Sequence, residues 1–269
     1  MKQGARGANF LAMDLGLGDR NVAVVGGTRG IGRATALAFA AERARVAILA
    51  RTEATLRETE AALRDRGAAA SLAVRADGTV ASELEAALAR VERELGPLDV
   101  LVNNLGGSRG EATSAAPSSD WDAVLALNLM PAVTACRRVL PGMKERRRGA
   151  IVNVSSIFGR EAGGAISYNA SKAAVIGFTK MLAREAAASG VRVNGVAPGS
   201  VLFPGGSWER RRREDPAGIE EFVRRELPFG RFGRPEEIAS VIVFLASDAA
   251  SWVSGVCWNV DGCQSRSLS

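Results

Sequence analysis

The chain has 269 residues, 47% of them hydrophobic, and carries a formal net charge of +6. This length and apolar content suffice for one α/β domain with a large core. Aromatic residues are few and the basic residues are spread along predicted helices, which argues against a nucleic-acid-binding surface. No apolar run reaches the ~18 residues of a membrane span, and no signal peptide is recognisable. The sequence therefore predicts a cytoplasmic protein without nucleic-acid or membrane partners.

Apolar strands alternate with alanine-rich helices along most of the chain. Such alternation predicts a parallel sheet covered on both faces, because parallel strands need crossover connections and are buried on both sides. The predicted strands are 21–25, 45–50, 70–74, 98–102, 149–154, 191–196 and 256–260. The predicted helices are 31–41, 53–66, 81–95, 121–144, the helix containing Tyr168, and 235–247. Residues 18–269 are thus predicted to form a single-domain, doubly wound, Rossmann-like α/β fold of about seven strands.

Two segments lie outside this alternation. Residues 1–17 precede the first predicted strand and are expected to form a flexible N-terminal extension. After the sixth strand an insertion spans about 203–227, where glycines beside Trp208 predict a lid over the substrate. The arginine run 210–213 has two interpretations, a patch for an anionic substrate tail or a solvated helix end.

Unusual residues follow six of the predicted strands. In a doubly wound fold, ligands bind at the carboxyl ends of the strands, so these residues are expected to form one site. The three cysteines lack metal-ligand spacing, and no metal is predicted there. The residues at the strand ends are 26–32, Arg51, Asp77, Asn103-Asn104, Ser155-Ser156 and Pro198-Gly199.

The glycine-rich segment 26–32 follows the first strand and opens a helix. Gly26 permits a tight turn, Gly30 allows close backbone approach, and Gly32 allows close packing of helix on strand. The N-terminus of that helix offers amide donors and a partial positive charge to a pyrophosphate. The predicted dinucleotide contacts of this segment are Gly26, Thr28, Arg29, Gly30, Ile31 and Gly32.

Arg51, at the end of the second strand, indicates which dinucleotide binds. An acidic residue at this place binds the ribose hydroxyls of NAD, whereas an arginine binds the 2′-phosphate of NADP. Arg29 supplies a second guanidinium on the same rim. The sequence therefore predicts NADP(H) as the cofactor, with an NAD-linked sugar or secondary-alcohol dehydrogenase as the alternative.

Tyr168 is the only tyrosine in a chain that has no histidine, the usual proton-transfer residue at neutral pH. Lys172 follows four residues later, on the same face of the predicted helix. An ammonium about 4 Å from a phenolate contributes roughly 4 kcal/mol at an effective dielectric of about 20, equivalent to up to about three pKa units. The pair therefore predicts proton transfer by Tyr168, with its pKa lowered by Lys172.

These motifs, in this order, resemble those of the short-chain dehydrogenase/reductase family from about residue 18 to the C-terminus. The resemblance implies hydride transfer between a nicotinamide and a ketone or secondary alcohol, with 3-oxoacyl-carrier-protein reductases as the nearest activity. It implies a small carbonyl or alcohol substrate, free or linked to coenzyme A or a carrier protein, and a homotetramer. A cofactor-binding regulatory protein without turnover is the rival hypothesis. The matching elements are Gly26-x-x-x-Gly30-x-Gly32, Asp77, Asn103-Asn104-Leu105-Gly106, Asn128, Ser156, Tyr168-x-x-x-Lys172 and Pro198-Gly199.

The roles that the resemblance implies are assigned by position. Tyr168 is the expected general acid and base, and Lys172 is expected to hold the nicotinamide ribose. Ser156 is expected to bind the carbonyl oxygen and Asn128 to hold a water in the proton relay. Ser155 remains an alternative, because many relatives place the serine thirteen residues before the tyrosine. The other implied cofactor contacts are Asp77 and its neighbour, Asn103, Gly106, Pro198 and Gly199.

Four positions depart from the family pattern. Val25 stands where many relatives have threonine. Leu105 replaces a small residue, Phe203 replaces a usual threonine, and Cys263 replaces a common glycine. Leu105 and Phe203 are expected to narrow the substrate pocket.

Overall fold

The computed structural model describes residues 15–110 and 112–268. They contain a seven-stranded sheet in which all neighbouring strands are parallel. The first three strands of the chain extend the sheet in one direction, and the remaining four extend it in the other. This reversal opens a crevice at the carboxyl edge. The strands are β1 (Asn21–Val25), β2 (Arg45–Ala50), β3 (Ala70–Arg75), β4 (Val100–Asn103), β5 (Gly149–Val154), β6 (Val191–Pro198) and β7 (Cys257–Val260). Their spatial order is β3-β2-β1-β4-β5-β6-β7.

Helices cover both faces of the sheet. The helices are α1 (Gly30–Ala41), α2 (Glu53–Asp65), α3 (Ala81–Leu95), α4 (Ser118–Asn128), α5 (Met130–Glu145), α6 (Ile166–Ala186), α7 (Ser207–Glu214), α8 (Pro216–Glu226) and α9 (Pro235–Ala246). Successive residues of β1 alternate between the faces: Ala23 and Val25 pack with α3, α5 and α6, whereas Val22 and Val24 pack with α1, α2 and α9. The predicted doubly wound, Rossmann-like fold is confirmed.

The predicted N-terminal extension ends earlier than residue 17. Leu17 is only 2% exposed, and it belongs to the core on the α1 face of the sheet. The Leu15 carbonyl oxygen accepts a hydrogen bond from the Asp248 amide at 3.1 Å. The two leucines are drawn into the fold because burial removes their apolar surface from water. The rest of the predicted extension, 1–14, lies outside the described residues.

The single helix predicted over 121–144 is divided into α4 and α5, which meet at Leu129. Pro131 has no amide hydrogen to donate to the carbonyl group four residues earlier, so the helical ladder is interrupted there. Together the two helices are long and apolar enough to cross a membrane by length and composition, but 50% of their most apolar window is buried inside the fold. Such burial is typical of core helices. The interruption leaves Asn128 at the end of α4, beside the carboxyl edge of the sheet.

The predicted insertion contains α7 and α8, which pack through aromatic rings. Trp208 stacks on Phe222, with ring centroids 4.6 Å apart, and lies 5.2 Å from Phe232. The Arg211 guanidinium lies over the Trp208 ring at 5.0 Å, a cation–π contact. The insertion therefore packs through a small aromatic cluster that also includes Phe232, and one arginine of the run contacts this cluster.

Cys263 has a left-handed backbone, with φ of 65°. This conformation costs an L-residue about 1–2 kcal/mol, whereas glycine adopts it freely. We expect Cys263→Gly to raise the melting temperature by about 2–4 °C for each kcal/mol of relieved strain. Cys263→Ser keeps the Cβ atom and is the matched control in calorimetry. Equal melting temperatures for the two variants would contradict the expectation.

Candidate active site

A cleft of about 500 Å³ runs along the carboxyl edge of the sheet, where residues of the six predicted strand ends meet. Gly30 and Gly32 lie in the first turn of α1, directly after the loop that lines the cleft, and Asn103 and Asn128 line a small separate cavity. Twelve predicted site residues line the cleft: Gly26, Thr28, Arg29, Ile31, Arg51, Asp77, Gly106, Ser156, Tyr168, Lys172, Pro198 and Gly199.

The glycine loop has the geometry that a dinucleotide pyrophosphate requires. A Cβ atom at Gly32 would overlap the Gly26 carbonyl oxygen, so only glycine allows α1 to approach β1 this closely. Gly30 has a φ of 51°, in the left-handed region that favours glycine. Within the described part of the chain, no side chain caps the N-terminus of α1, which begins after Arg29. Its first amides therefore remain available to an anion bound at the N-terminus of the helix.

Arg51 and Asp77 mark one end of the cleft. The Arg51 Nη1 and Asp77 Oδ2 atoms are 3.8 Å apart, and the Arg51 side chain is 62% exposed. Hydrogen bonds from the side chain and amide of Thr79 lower the pKa of Asp77, and the Arg51 charge adds a smaller effect. An exposed ion pair of this kind contributes little energy, so it does not prevent Arg51 from binding a phosphate.

Ser156 and Tyr168 form the opposite end. The Ser156 hydroxyl makes a hydrogen bond with the Tyr168 phenol. The Ser155 hydroxyl is turned away and donates to the backbone carbonyl oxygen of Lys172 at 2.8 Å. The geometry therefore favours Ser156 over Ser155 as the serine beside the tyrosine.

Burial shifts the pKa values of both Tyr168 and Lys172 towards their neutral forms. It raises the pKa of Tyr168, and the hydrogen bond with Ser156 only partly opposes this. The Lys172 Nζ donates to the Val154 carbonyl oxygen at 3.0 Å and lies 5.8 Å from the centroid of the tyrosine ring. Burial lowers the pKa of Lys172 to about 8. The expected lowering of the tyrosine pKa by Lys172 is therefore wrong for this structure, because desolvation raises the pKa and outweighs the hydrogen bond with Ser156.

The Asn128 side chain makes two hydrogen bonds to the backbone of Gly107, which lies between it and the cleft. Its Oδ1 accepts from the Gly107 amide at 3.0 Å, and its Nδ2 donates to the Gly107 carbonyl oxygen at 2.9 Å. A Cβ atom at Gly106 would lie 2.7 Å from the Lys172 Nζ and 2.9 Å from the Asn128 Oδ1. A glycine at 106 therefore lets the asparagine and the lysine lie next to each other.

A family model described as short chain dehydrogenase matches residues 20–214. The chain belongs to this family. Acetoacetyl-CoA reductase of Synechocystis sp. is 39% identical over 252 residues, which are 93% of this chain and 98% of the relative. A 3-oxoacyl-[acyl-carrier-protein] reductase of Thermotoga maritima is 37% identical over 245 residues, 89% of this chain and 95% of the relative. The structure of L-sorbose reductase from Gluconobacter frateurii, complexed with NADPH and L-sorbose, has a TM-score of 0.89 and 31% identity, and the match covers 95% of this chain and all of that one.

The family predicted from the motifs is thus confirmed, and the short-chain dehydrogenase is an oxidoreductase. The described residues contain no group of three or more His, Cys, Asp or Glu placed to hold a metal ion.

Asn103 does not line the cleft of this short-chain dehydrogenase, contrary to the expectation that it contacts the cofactor. It is 5% exposed, and its Nδ2 donates to the Asn153 Oδ1 at 2.8 Å. The next residue, Asn104, lines the cleft and donates to the Gly26 carbonyl oxygen at 3.0 Å. Successive side chains at the end of β4 point in opposite directions, so only one of the two asparagines reaches the ligand side. That alternation is the sequence signal that would have identified Asn104.

Leu105 lies at the Arg51 end of the cleft, where a Cβ atom at Gly78, the residue after Asp77, would overlap its Cδ1. Its Cδ2 atom is 3.1 Å from the position of a Cβ atom at Gly26. The expectation that it narrows the substrate pocket is therefore wrong, because the strand end directs it towards β1. Phe203 also lines the cleft, and its ring is 2.8 Å from the position of a Cβ atom at Gly30.

Replacement of Lys172 by methionine tests the role of the buried ammonium. With a pKa of about 8, Lys172 loses its charge as the pH rises from 7 to 9. We expect the NADPH affinity of the parent to fall over this range, and the affinity of Lys172→Met to be weaker at pH 7 and nearly independent of pH. Fluorescence titrations at several pH values measure both. Parallel pH profiles for parent and variant would rule out this role.

The same lysine has a predictable effect on stability. Its pKa is about 8 in the folded protein and 10.5 in its ordinary range, so the unfolded chain binds more protons between these values. The stability that the neutral lysine side chain allows is therefore fully present above pH 10.5. It decreases as the pH falls below that value and is lost once the pH has fallen through about 8. We expect Lys172→Met to be more resistant to urea than the parent at pH 7, with a smaller difference at pH 10. A variant less stable than the parent at pH 7 would contradict this sign.

Proposed function

We propose that this short-chain dehydrogenase is an NADP(H)-dependent reductase of ketones that also oxidises the corresponding secondary alcohols. The observation that carries the proposal is the arrangement of Ser156, Tyr168 and Lys172 at one end of a cleft whose other end is bounded by Arg51. A protein that only bound a dinucleotide would need no proton donor such as Tyr168 in the cleft.

The bound nicotinamide would supply or accept the hydride. The Ser156 hydroxyl would donate a hydrogen bond to the carbonyl oxygen of the substrate, beside the phenol that protonates it. The raised pKa of Tyr168 keeps the phenol protonated at neutral pH, as a general acid for reduction requires. Lys172 would hold the ribose, and Phe203 and Trp208, which line the cleft, would exclude water from the reacting atoms.

The preference for NADP(H) rests on charge. Arg51 and Arg29 line the cleft and are available to the 2′-phosphate, and the residue at the end of β2 is not the acidic one that NAD requires. The structurally similar L-sorbose reductase was crystallised with NADPH. Both observations support the NADP(H) assignment.

We propose a 3-oxoacyl thioester as the substrate class. The two relatives described above are named as reductases of acetoacetyl-CoA and of 3-oxoacyl-[acyl-carrier-protein]. In the chain itself, Arg210, Arg212 and Arg213 are exposed on α7, directly after Trp208 in the cleft wall. Their positive charges suit the phosphate groups of a coenzyme A or carrier-protein arm.

A panel of carbonyl compounds tests the function. Acetoacetyl-CoA, a 3-oxoacyl carrier protein, L-sorbose and a small ketone are each offered with NADPH and with NADH, and oxidation of the nicotinamide is followed by absorbance. We expect the highest kcat/KM for a thioester with NADPH. A preference for L-sorbose or the small ketone would overturn the substrate class, and no turnover with any of the four would overturn the function.

We also propose a cytoplasmic homotetramer. Large apolar side chains are exposed on α5, α6 and near β7, where a second copy would cover them: Met130 (47% exposed), Met181 (66%) and Trp252 (99%). Light scattering of the purified protein measures the number of chains, and a monomer at micromolar concentration would contradict the proposal.

A further inference from the structure

The adenosine end of the cleft lacks a side chain at a position where one is expected. Arg51 and Asp77 define this end, because Arg51 follows β2, the strand whose end contacts the ribose in a dinucleotide-binding fold, and Asp77 pairs with Arg51. The resemblance to the family implies that Asp77 and its neighbour flank the adenine. That neighbour is Gly78, which has no side chain to offer.

Leu105 occupies the space that a side chain at Gly78 would fill. A Cβ atom at Gly78 would overlap the Leu105 Cδ1 and lie 3.6 Å from the Val25 Cγ1. The Leu105 Cδ2 approaches Gly26 on the other side. The leucine side chain therefore spans the gap between the end of β1 and the segment after β3, and both Leu105 and Gly78 line the cleft.

The backbone of Gly78 does not explain why a glycine stands there. Its φ is not positive, unlike that of several other glycines among the described residues, so a larger L-residue fits its conformation. The restriction is steric and comes from Leu105. Conversely, Leu105 is only partly buried, and it packs against the core on one side and faces the cleft on the other. An apolar surface that faces a ligand cleft beside charged groups is suited to a flat ring such as adenine.

We propose that Leu105 and Gly78 form a size-complementary pair in which Leu105 provides the apolar wall for the adenosine half of the cofactor. The proposal rests on the proposed function, because it requires a dinucleotide in the cleft. It assigns Leu105 to cofactor binding. It also explains the two residues together: a leucine at 105 requires a glycine at 78, and a glycine at 78 requires the leucine to complete the wall.

A size exchange tests the pair. The parent, Leu105→Ala, Gly78→Val and the double variant are titrated by calorimetry with NADPH, NADH and adenosine 2′,5′-bisphosphate. Leu105→Ala is expected to weaken all three ligands about tenfold, equivalent to about 1.4 kcal/mol. Gly78→Val is expected to weaken them by at least as much, whereas the double variant should return to within about threefold of the parent, which is strong coupling between contacting residues.

Leu127→Ala is the matched control, because Leu127 lines the cleft beside Gly107 at the nicotinamide end. It should leave the affinity for adenosine 2′,5′-bisphosphate unchanged. Urea unfolding without ligand provides a second readout: Gly78→Val should be destabilised and the double variant should recover. Additive losses in the double variant, in binding and in stability, would overturn the pair while leaving the proposed function intact. A parent that binds none of the three ligands would instead overturn the proposed function.

Discussion

Replacement of Tyr168 by phenylalanine is expected to lower carbonyl-reducing turnover by about 10²–10⁴-fold, the contribution typical of a positioned proton donor. Phenylalanine keeps the ring that lines the cleft and removes only the phenol beside Ser156. The chain contains no histidine and no second tyrosine to take over proton transfer. Steady-state kinetics with NADPH and the best substrate of the panel measure the loss.

Two serine variants separate the chemical effect from a structural one. Ser156→Ala removes the hydroxyl beside the phenol and should reduce turnover, whereas the Ser155 hydroxyl is held by the Lys172 backbone and Ser155→Ala should retain it. NADPH affinity should change little in both Tyr168→Phe and Ser156→Ala, and the melting temperature should change little in Tyr168→Phe. Near-normal turnover by a folded Tyr168→Phe protein would remove the tyrosine from the reaction.

The second large effect is a reversal of cofactor preference in Arg51→Asp. Charge-assisted hydrogen bonds of Arg51 to the 2′-phosphate are each worth roughly 1.5–3 kcal/mol. The parent should therefore bind NADPH at least about tenfold more tightly than NADH, since 1.4 kcal/mol corresponds to one decade. The variant carboxylate would repel the phosphate and accept the ribose hydroxyls of NAD. Dissociation constants for both cofactors measure the reversal.

Arg57 offers a matched control for this charge change. It lies on α2, is 71% exposed and pairs with Glu53 at 3.9 Å, away from the cleft. Arg57→Asp changes the net charge by the same amount and should leave the ratio of the two affinities unchanged. Arg29→Ala should weaken NADPH binding more than NADH binding. If the parent binds both cofactors equally, Arg51 is only a surface charge.

The sequence by itself determined the architecture and the composition of the site. The pattern of apolar strands and helices is set by burial on both faces of a parallel sheet, so it predicts the fold without coordinates. The glycine loop 26–32 and the Tyr168–Lys172 spacing are equally local, because backbone freedom and the helical period are properties of a few consecutive residues. Even the break between α4 and α5 has a local cause, because Pro131 has no amide hydrogen to continue the helical ladder.

The tertiary structure alone decided which of two adjacent residues faces the cleft. It also decided the direction in which the pKa of Tyr168 shifts. The choice of Ser156 over Ser155 and of Asn104 over Asn103 depends on the direction in which a strand end leaves the sheet. The direction of the Leu105 side chain likewise depends on the space that Gly78, which is distant in the chain, leaves unfilled. The pKa of Tyr168 rises because desolvation is the sum of contacts from many elements. Such contacts join residues that are far apart in sequence, and therefore no local pattern of residues encodes them.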